Sequence, residues 1–163
     1  MKIFFVLSLL SLHFFSCAGG APVRNSITPA QGPAVEFSAV EGKNWMLTEI
    51  IREGQVVNID RNELNSIGMG GAFTINFQDD RVSGMGAPNR FFGPFTSSSG
   101  NVLNIGNLAS TLMAAIFEPE ALKEHEFFAY LSGVSRWDLR EEALELYTSD
   151  NNGTVVILVF DEN

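Results

Sequence analysis

Histidine is the side chain best suited to acid–base catalysis and metal binding at neutral pH, and the chain has 2 of them. His13 lies in the apolar run at the N-terminus, so only His125 is expected in the mature protein. His125 opens the stretch HEFFA, which begins like a zinc-binding HExxH helix but has Ala129 where the second histidine is required. The sequence therefore predicts no metal site, and we interpret His125 as a partly exposed helix residue.

Carboxylates are the other groups with which the chain could perform acid–base chemistry. They occur in close pairs: Asp79 with Asp80, Glu118 with Glu120, and Glu141 with Glu142. Each pair is expected in a turn or at the rim of a helix, where solvated carboxylates keep a surface soluble. A glycosidase-like hydrolase requires two carboxyl groups that converge in a cleft, and it stays open as an alternative. Our prediction is that the protein is not an enzyme and has no catalytic residue.

The glycine-rich stretch at residues 68–71, GMGG, lacks the GxxxxGK[ST] spacing that cradles a phosphate. We interpret it as a loop that permits positive φ before the next strand. Met69, Met85 and Met113 could together bind a soft metal ion, but they are far apart in the sequence. Methionine also commonly fills protein cores. We therefore predict no cofactor.

The stretch GMGAPNRFFG, residues 84–93, combines the residues of a tight turn with an arginine and two phenylalanines. Gly84 and Gly86 allow sharp backbone bends, and Pro88 cannot donate a hydrogen bond to a neighbouring strand. The stretch is therefore predicted first of all to be a corner. It could also be an interaction rim that grips an acidic or apolar partner. That rim would consist of Asn89, Arg90, Phe91 and Phe92.

The first residues indicate export. Residues 1–16 comprise one lysine and an apolar run that is too short and too interrupted for a transmembrane helix, which is typical of a signal peptide. Cys17, the single cysteine, follows this run in FFSCAG, which resembles a bacterial lipobox with phenylalanine where leucine is usual. We expect lipidation of Cys17 and hence a membrane anchor. Cleavage of an ordinary signal peptide after Ala18 or Gly20 is the alternative.

The composition of the residues that follow the predicted signal peptide divides them into a tether and one domain. Residues 17–41 are rich in Gly, Pro, Ala and Ser without a regular period, which predicts a flexible tether after the lipidated cysteine. Residues 42–163 are expected to fold as a single domain. The formal net charge of −9 would repel a phosphate backbone, which excludes nucleic acid as a partner. We expect an exported protein held on a bacterial membrane, at the outer membrane or on a periplasmic or surface face.

Within this domain the patterns are mainly those of strands. The alternation FTINF at residues 73–77 predicts a strand with its three apolar side chains inward. The turn residues at 150–153 predict a hairpin that leads into the apolar strand at 155–160. The fold class is therefore α+β: a small, curved, mainly antiparallel β-sheet that forms a partial barrel, with one or two helices packed against it.

The helices are expected in the second half of the domain. Helical period appears between residues 108 and 133, where a proline separates a short helix at residues 111–117 from a longer one at 120–131. The polar stretch at residues 52–64 is expected to be a loop with a short strand at Val56 and Val57.

Several short motifs follow one another in the order and spacing of a known family. They span nearly everything from residue 42 to residue 160: Trp45-Met46-Leu47, Phe77-x3-Arg81-Val82-Ser83-Gly84, Asn89-Arg90-Phe91-x-Gly93-Pro94-Phe95, Leu103-x-Ile105, Ser110-Thr111-x-Met113-Ala114, Glu124-x2-Phe127-x3-Leu131 and Leu144-x-Leu146. On these residues the chain resembles the META domain, or HslJ-like, family. Relatives often have two cysteines at the places held here by Pro88 and Ala115, so a thiol role in relatives does not carry over to this chain.

The resemblance implies a curved antiparallel sheet and a setting among bacterial envelope lipoproteins linked to heat or antibiotic stress. No enzymatic activity is established for the family. We expect a monomeric domain that binds an unknown envelope protein in stress-related envelope maintenance. The alternative is a carrier that holds a lipid or another apolar molecule in a groove of the sheet. That groove would be lined by Phe73, Ile75, Phe77 and Phe91 and partly covered by Phe127 and Phe128.

Overall fold

The structure, a computed structural model, describes residues 35–163. The predicted signal peptide, Cys17 and most of the predicted tether lie outside the described residues. The strands are β1 (Asn44–Arg52), β2 (Gln55–Asn58), β3 (Thr74–Gln78), β4 (Arg81–Met85), β5 (Arg90–Ser98), β6 (Val102–Ile105), β7 (Ala109–Ser110), β8 (Arg136–Arg140), β9 (Ala143–Ser149) and β10 (Val155–Glu162). The helices are a 3₁₀ turn (Phe37–Ala39), α1 (Arg61–Ser66) and α2 (Glu124–Ser132).

Most of the strands close into an antiparallel barrel of 8 strands. Around the barrel they follow the order β1-β3-β4-β5-β6-β8-β9-β10, and β10 pairs with β1 to complete the ring. β2 extends one edge of β1, and β7 lies beside β5. The predicted α+β fold with an antiparallel sheet is confirmed. The prediction of a partial barrel is wrong, because the pairing of β10 with β1 closes the eight strands into a ring.

β1 is the strand that makes this closure possible. On one edge it pairs with β10, beginning with Trp45 opposite Glu162. On the other edge its first residues pair with β3 and its last residues with β2. The register shifts between Leu47 and Glu49, and a bulge of this kind bends a strand and increases its twist. The bend lies between the part of β1 that pairs with β3 and the part that pairs with β2.

The packed domain begins before the predicted boundary at residue 42. The ring of Phe37 contacts those of Phe77 and Trp137, with centroids 5.2 and 5.0 Å away. Val40 is buried, and its carbonyl accepts a hydrogen bond of 3.0 Å from the indole of Trp45. The described end of the predicted tether is therefore part of the core. The sequence hides this because a single turn is too short to show a period.

α1 occupies part of the stretch that is predicted to be a loop. Asp60 caps it, because its carboxylate accepts hydrogen bonds from the backbone of Asn62 and Glu63 at 3.0 and 2.9 Å. Leu64 is its buried residue. The short strand predicted just before it is present as β2.

α2 begins at Glu124, later than the predicted start at residue 120. The carboxylate of Glu126 accepts a hydrogen bond of 2.9 Å from the backbone of Lys123, which satisfies a donor at the start of the helix. Phe127 and Leu131 are fully buried on the side that faces the barrel. In residues 35–163 no helix is long and apolar enough to cross a bilayer.

The barrel interior is filled by apolar side chains. The predicted alternation in β3 is correct, since Ile75 and Phe77 are buried and their neighbours are not. The largest fully buried side chains are those of Trp45, Trp137, Phe73, Phe77, Phe91, Phe127 and Phe160. Several of these rings meet edge to face, which is the arrangement that aromatic pairs prefer.

Candidate functional site

A polar corner connects β4 and β5 to the start of α2. The Oε1 atom of Glu124 accepts hydrogen bonds from the backbone of Ala87 and Asn89 at 2.7 and 2.6 Å. Its Oε2 atom accepts a bond of 2.7 Å from Nδ2 of Asn89. The Ala87–Pro88 peptide bond is cis, and Asn89 is only 6% exposed. The corner predicted for residues 84–93 is therefore present, and a carboxylate from α2 secures it.

The side chain of Asn89 also fixes the chain that follows β7. Its Oδ1 atom accepts hydrogen bonds from Met113 N at 2.7 Å and from Thr111 Oγ1 at 2.8 Å. Its Nδ2 atom donates to Met113 O at 3.1 Å, and Thr111 N donates to Arg90 O at 3.0 Å. The prediction of a helix at residues 111–117 is wrong, because these backbone groups bond to the β4–β5 corner instead of to their own turn.

The consequence is an apolar segment, residues 112–117, with the sequence LMAAIF and every residue exposed. Leu112 is 97% exposed, Met113 is 61% exposed, and Ile116 is exposed over its whole surface. Exposed apolar side chains are ordinary when they are scattered, but a contiguous group of them marks an interaction surface. The apolar segment is therefore a candidate interaction surface among the described residues.

The four residues of the predicted rim divide between the interior and the surface. Asn89 and Phe91 are buried, so they hold the corner and the core and cannot form a rim. Arg90 is exposed, and Phe92 is 49% exposed on the outer face of β5. The guanidinium carbon of Arg81, on β4, lies 4.9 Å from the centroid of the Phe92 ring. The surface feature is thus an arginine–phenylalanine–arginine group, to which Arg81 belongs although it is not one of the four residues of the predicted rim.

Two depressions lie on either side of Phe92. One, of about 430 Å³, is lined by Arg90, Ser83 and Met85 among others. The other, of about 280 Å³, is lined by Arg81, Pro94 and residues of the β6–β7 connection. Both are open on the surface of the barrel wall.

The histidine and the carboxylate pairs that the sequence singles out for catalysis are separate and exposed. His125 is exposed on α2, as the interpretation of a helix residue anticipates. Among the described carboxylates none is buried, and the predicted pairs lie in three different connections. Within residues 35–163 no three His, Cys, Asp or Glu side chains are grouped so that they could hold a metal ion.

The glycine-rich loop has a structural role. Gly68 has a φ of 77°, as expected for a loop that needs the left-handed region. The guanidinium of Arg61, on α1, donates hydrogen bonds to the carbonyls of Ala72 and Gly70 at 2.9 and 2.6 Å. Burial lowers the pKa of Arg61. These bonds tie α1 to the loop that leads into β3.

The other groups with shifted pKa values lie in β8, in β9 and in the hairpin between β9 and β10. Burial, followed by the hydrogen bond to Glu145, raises the pKa of Tyr147. A backbone hydrogen bond from Thr154 lowers the pKa of Asp150 in the hairpin between β9 and β10. A hydrogen bond to Asp138 raises the pKa of Arg140. None of these residues is part of the polar corner or the apolar segment.

The aromatic side chains predicted to line a carrier groove belong to the core. Phe73 meets Phe127 edge to face at 5.2 Å, and Phe91 meets Phe128 at 5.2 Å. Ile75 is also buried. These side chains contact one another inside the barrel and beneath α2.

Comparisons with known proteins agree with this architecture. The META domain family model matches residues 38–160. The chain is similar to a protein from Burkholderia xenovorans solved by NMR, with 20% identity, a TM-score of 0.57, and coverage of 82% of this chain and 96% of that one. It is also similar to a DUF4847 family protein from Bacteroides vulgatus, with 13% identity, a TM-score of 0.55, and coverage of 78% of this chain and 96% of that one. No curated protein matches the chain.

The two structural likenesses concern the fold, since the identities are 20% and 13%. The match to the family model is evidence for membership in a family, because it spans most of the described residues. It begins at residue 38, beside the buried Phe37, and ends at residue 160 in the strand that closes the barrel. The chain therefore belongs to the META domain family.

Proposed function

We propose that this META-domain chain is a non-enzymatic binding protein of the bacterial envelope, which docks on another envelope protein through the apolar segment and supports envelope maintenance under stress. The observation that carries the proposal is the exposure of Leu112, Met113 and Ile116 within one irregular stretch of six residues, 112–117. Side chains of this size are worth about 1.5–3 kcal/mol each when they are removed from water. A partner that covers them would therefore gain a substantial part of its binding energy at this place.

The polar corner supports the proposal because it holds one end of the segment. Met113 is bonded through both its backbone groups to Asn89, which is itself bonded to Glu124 on α2. A segment that is already positioned loses less conformational entropy when it binds. The polar corner is thus suited to presenting Leu112 and Ile116 to a partner.

The interior of the barrel favours binding at the surface over the carrying of a ligand inside. The rings of Phe73, Phe91 and Phe127 pack against one another where a groove is needed. The three predicted carboxylate pairs are exposed and lie in different connections, which likewise favours binding over hydrolysis by two carboxyl groups in one cleft.

The proposed location at a membrane depends on Cys17 and the residues before it, which lie outside the described residues. We propose that Cys17 is lipidated and anchors the domain to a bacterial membrane. A Cys17→Ser variant is then expected in the soluble fraction of an envelope extract. Retention of that variant in the membrane fraction would contradict the anchor.

A site-specific crosslinking experiment tests the docking surface. A photoreactive amino acid is placed at Ile116 of the full chain in its native host, and a control chain carries it at the exposed Glu142 in the β8–β9 turn. We expect a discrete protein adduct from position 116 that is absent from position 142 and is lost when Leu112→Ser is added. Adducts to lipid alone, or equal adducts from both positions, would refute the proposal.

A further inference from the structure

We propose that the outer face of β4 and β5 binds an extended acidic segment of a protein partner, in which an apolar side chain lies between acidic ones. The site is the group formed by Arg81, Phe92 and Arg90, which we call the arginine platform. It lies on the wall of the barrel and shares no residue with the apolar segment.

The strand register places the three side chains in a row. Phe92 is opposite Ser83, Arg90 is opposite Met85, and Arg81 is opposite Pro94. Alternate residues of a strand point to the same face and are roughly 7 Å apart. Phe92 therefore lies in the middle of the row, with one arginine toward each end.

The charges of the platform have no partner within the described part of the chain. Neither Arg81 nor Arg90 is among the described ion pairs, which involve Lys43, Lys123 and Arg140. Asp79 and Asp80 precede Arg81 in the β3–β4 turn, but no ion pair joins either of them to it. The outward residues of the adjacent strand β3, namely Thr74, Asn76 and Gln78, carry no charge.

The shape of this outer face suits the same partner as its charge does. The depression of about 430 Å³ lies between Arg90 and Phe92, and Met85 supplies apolar surface there. The depression of about 280 Å³ lies on the other side of Phe92, and Arg81 and Pro94 contribute to its lining. Each depression thus has an arginine at its edge and Phe92 as a shared wall. An apolar side chain can enter a depression while its acidic neighbours meet the guanidinium groups.

Charge complementarity selects the occupant. The chain as a whole has a net charge of −9, so most of its surface repels an acidic segment. The arginine platform differs from the negatively charged rest of the surface, because its two guanidinium groups have no acidic partners among the described residues. Arginine binds carboxylates in a planar, bidentate way. An extended segment repeats its side chains on one face every roughly 7 Å, which matches the spacing of the row.

This inference rests on the proposed function in one respect, which is that both assign a protein as partner. The two use different residues, so they can fail separately. The arginine platform predicts recognition of a short acidic sequence, whereas the apolar segment predicts burial of Leu112 and Ile116 in a partner.

The test uses the full chain and a fluorescein-labelled synthetic peptide of the sequence Gly-Glu-Ala-Phe-Ala-Glu-Gly. A second peptide has glutamine in place of both glutamates. Fluorescence anisotropy gives the affinity for wild type, for the double variant Arg81→Gln with Arg90→Gln, and for Arg136→Gln. Arg136 is the matched control, because it is exposed and its guanidinium carbon lies 3.7 Å from the ring centroid of Tyr147.

We expect wild type to bind the acidic peptide and not the glutamine peptide. The double variant should bind the acidic peptide about fivefold more weakly, because it lacks both guanidinium groups that meet the glutamates in exposed ion pairs. The Arg136→Gln variant should bind as wild type does. Absence of binding to wild type, equal affinity of the double variant, or equal binding of the glutamine peptide would each overturn the inference.

A Leu112→Ser variant separates this test from that of the proposed function. It should keep its affinity for the acidic peptide, and the same change should abolish the crosslinked adduct from position 116. Loss of peptide binding in Leu112→Ser, with the platform variants unaffected, would show that the peptide binds the apolar segment and would also overturn the inference.

Discussion

Glu124 and Asn89 are joined by two hydrogen bonds of 2.6 and 2.7 Å, one to the backbone and one to the side-chain amide of Asn89. The pair links the first turn of α2 to the β4–β5 corner. Because Asn89 in turn bonds Met113, the same pair determines where the apolar segment begins. A change in this pair is therefore expected to act both on stability and on binding.

We expect Glu124→Ala to lower the free energy of unfolding by about 3 kcal/mol, because it leaves the amides of Ala87 and Asn89 without their acceptor. Urea unfolding at neutral pH measures the change. Glu120→Ala is the matched control, since Glu120 is exposed and makes no described hydrogen bond, and it should shift the value by less than about 0.5 kcal/mol. Equal values for the two variants would contradict this role of Glu124.

Phe37→Ala should cost about 3 kcal/mol, because it removes a ring that packs against Phe77, Phe95 and Trp137. The adjacent, exposed Glu36 provides the control through Glu36→Ala, which should be nearly neutral. Thermal unfolding of both variants decides the matter. Little change in Phe37→Ala would mean that the domain begins at residue 42 after all.

Gly84→Ala is expected to destabilise the protein by more than about 3 kcal/mol, because a Cβ atom at Gly84 would lie 1.9 Å from the carbonyl oxygen of Thr74. The neighbouring backbone of β3 would have to move. At Gly71 the nearest atom to such a Cβ is the Met85 sulfur at 3.5 Å, so Gly71→Ala should be tolerated. Chemical denaturation of the two variants compares them directly, and similar midpoints would contradict the close approach.

The hydrogen bonds to the Asp150 carboxylate lead us to expect that the stability of the protein depends on pH. Its carboxylate accepts hydrogen bonds from the backbone of Asn152 and Thr154 at 2.8 and 2.9 Å, and its pKa is lowered from 3.8. Because the folded pKa is below the unfolded one, the stabilisation is complete above pH 3.8 and is lost as the pH falls through the folded pKa. Wild type should therefore exceed Asp150→Asn in stability at neutral pH, and the difference should vanish in acid. A difference that stays constant across this range would refute the assignment to the charge.

Ile116→Ser should leave the free energy of unfolding within about 0.5 kcal/mol of wild type, because the side chain is already in water. Leu122→Ser, nearby in the sequence but fully buried, should destabilise the protein strongly and serves as the contrast. Calorimetry of the two variants provides the comparison. A large loss in Ile116→Ser would show that the apolar segment packs on the domain.

Local patterns in the sequence predict the local elements well. The alternation in β3 and the turn residues between β9 and β10 correspond to a strand and a hairpin in the structure. Each depends on residues that are close together in the chain. Asp150 and Gly153, for example, form the hairpin turn with bonds of their own.

The features that the sequence does not reveal depend on distant partners. Thr111 and Met113 belong to a stretch with helical character, yet they bond to Asn89, more than twenty positions away. Glu124 is recognisable in the family motif, but its bonds to Ala87 and Asn89 appear only in three dimensions. The outer row of the arginine platform likewise requires the register of β4 against β5.

The pairing of β1 with β10 also has a consequence for biosynthesis. Lys43 and Glu162, which form an ion pair beside these strands, are 119 positions apart. At the usual rate of 5–20 residues per second, a ribosome needs about 6 to 24 seconds to add that length of chain. Throughout this interval β1 has no β10 to pair with, so the nascent chain presents an unpaired strand edge. A polypeptide in this state can pair wrongly with other chains and is therefore a natural client for chaperones.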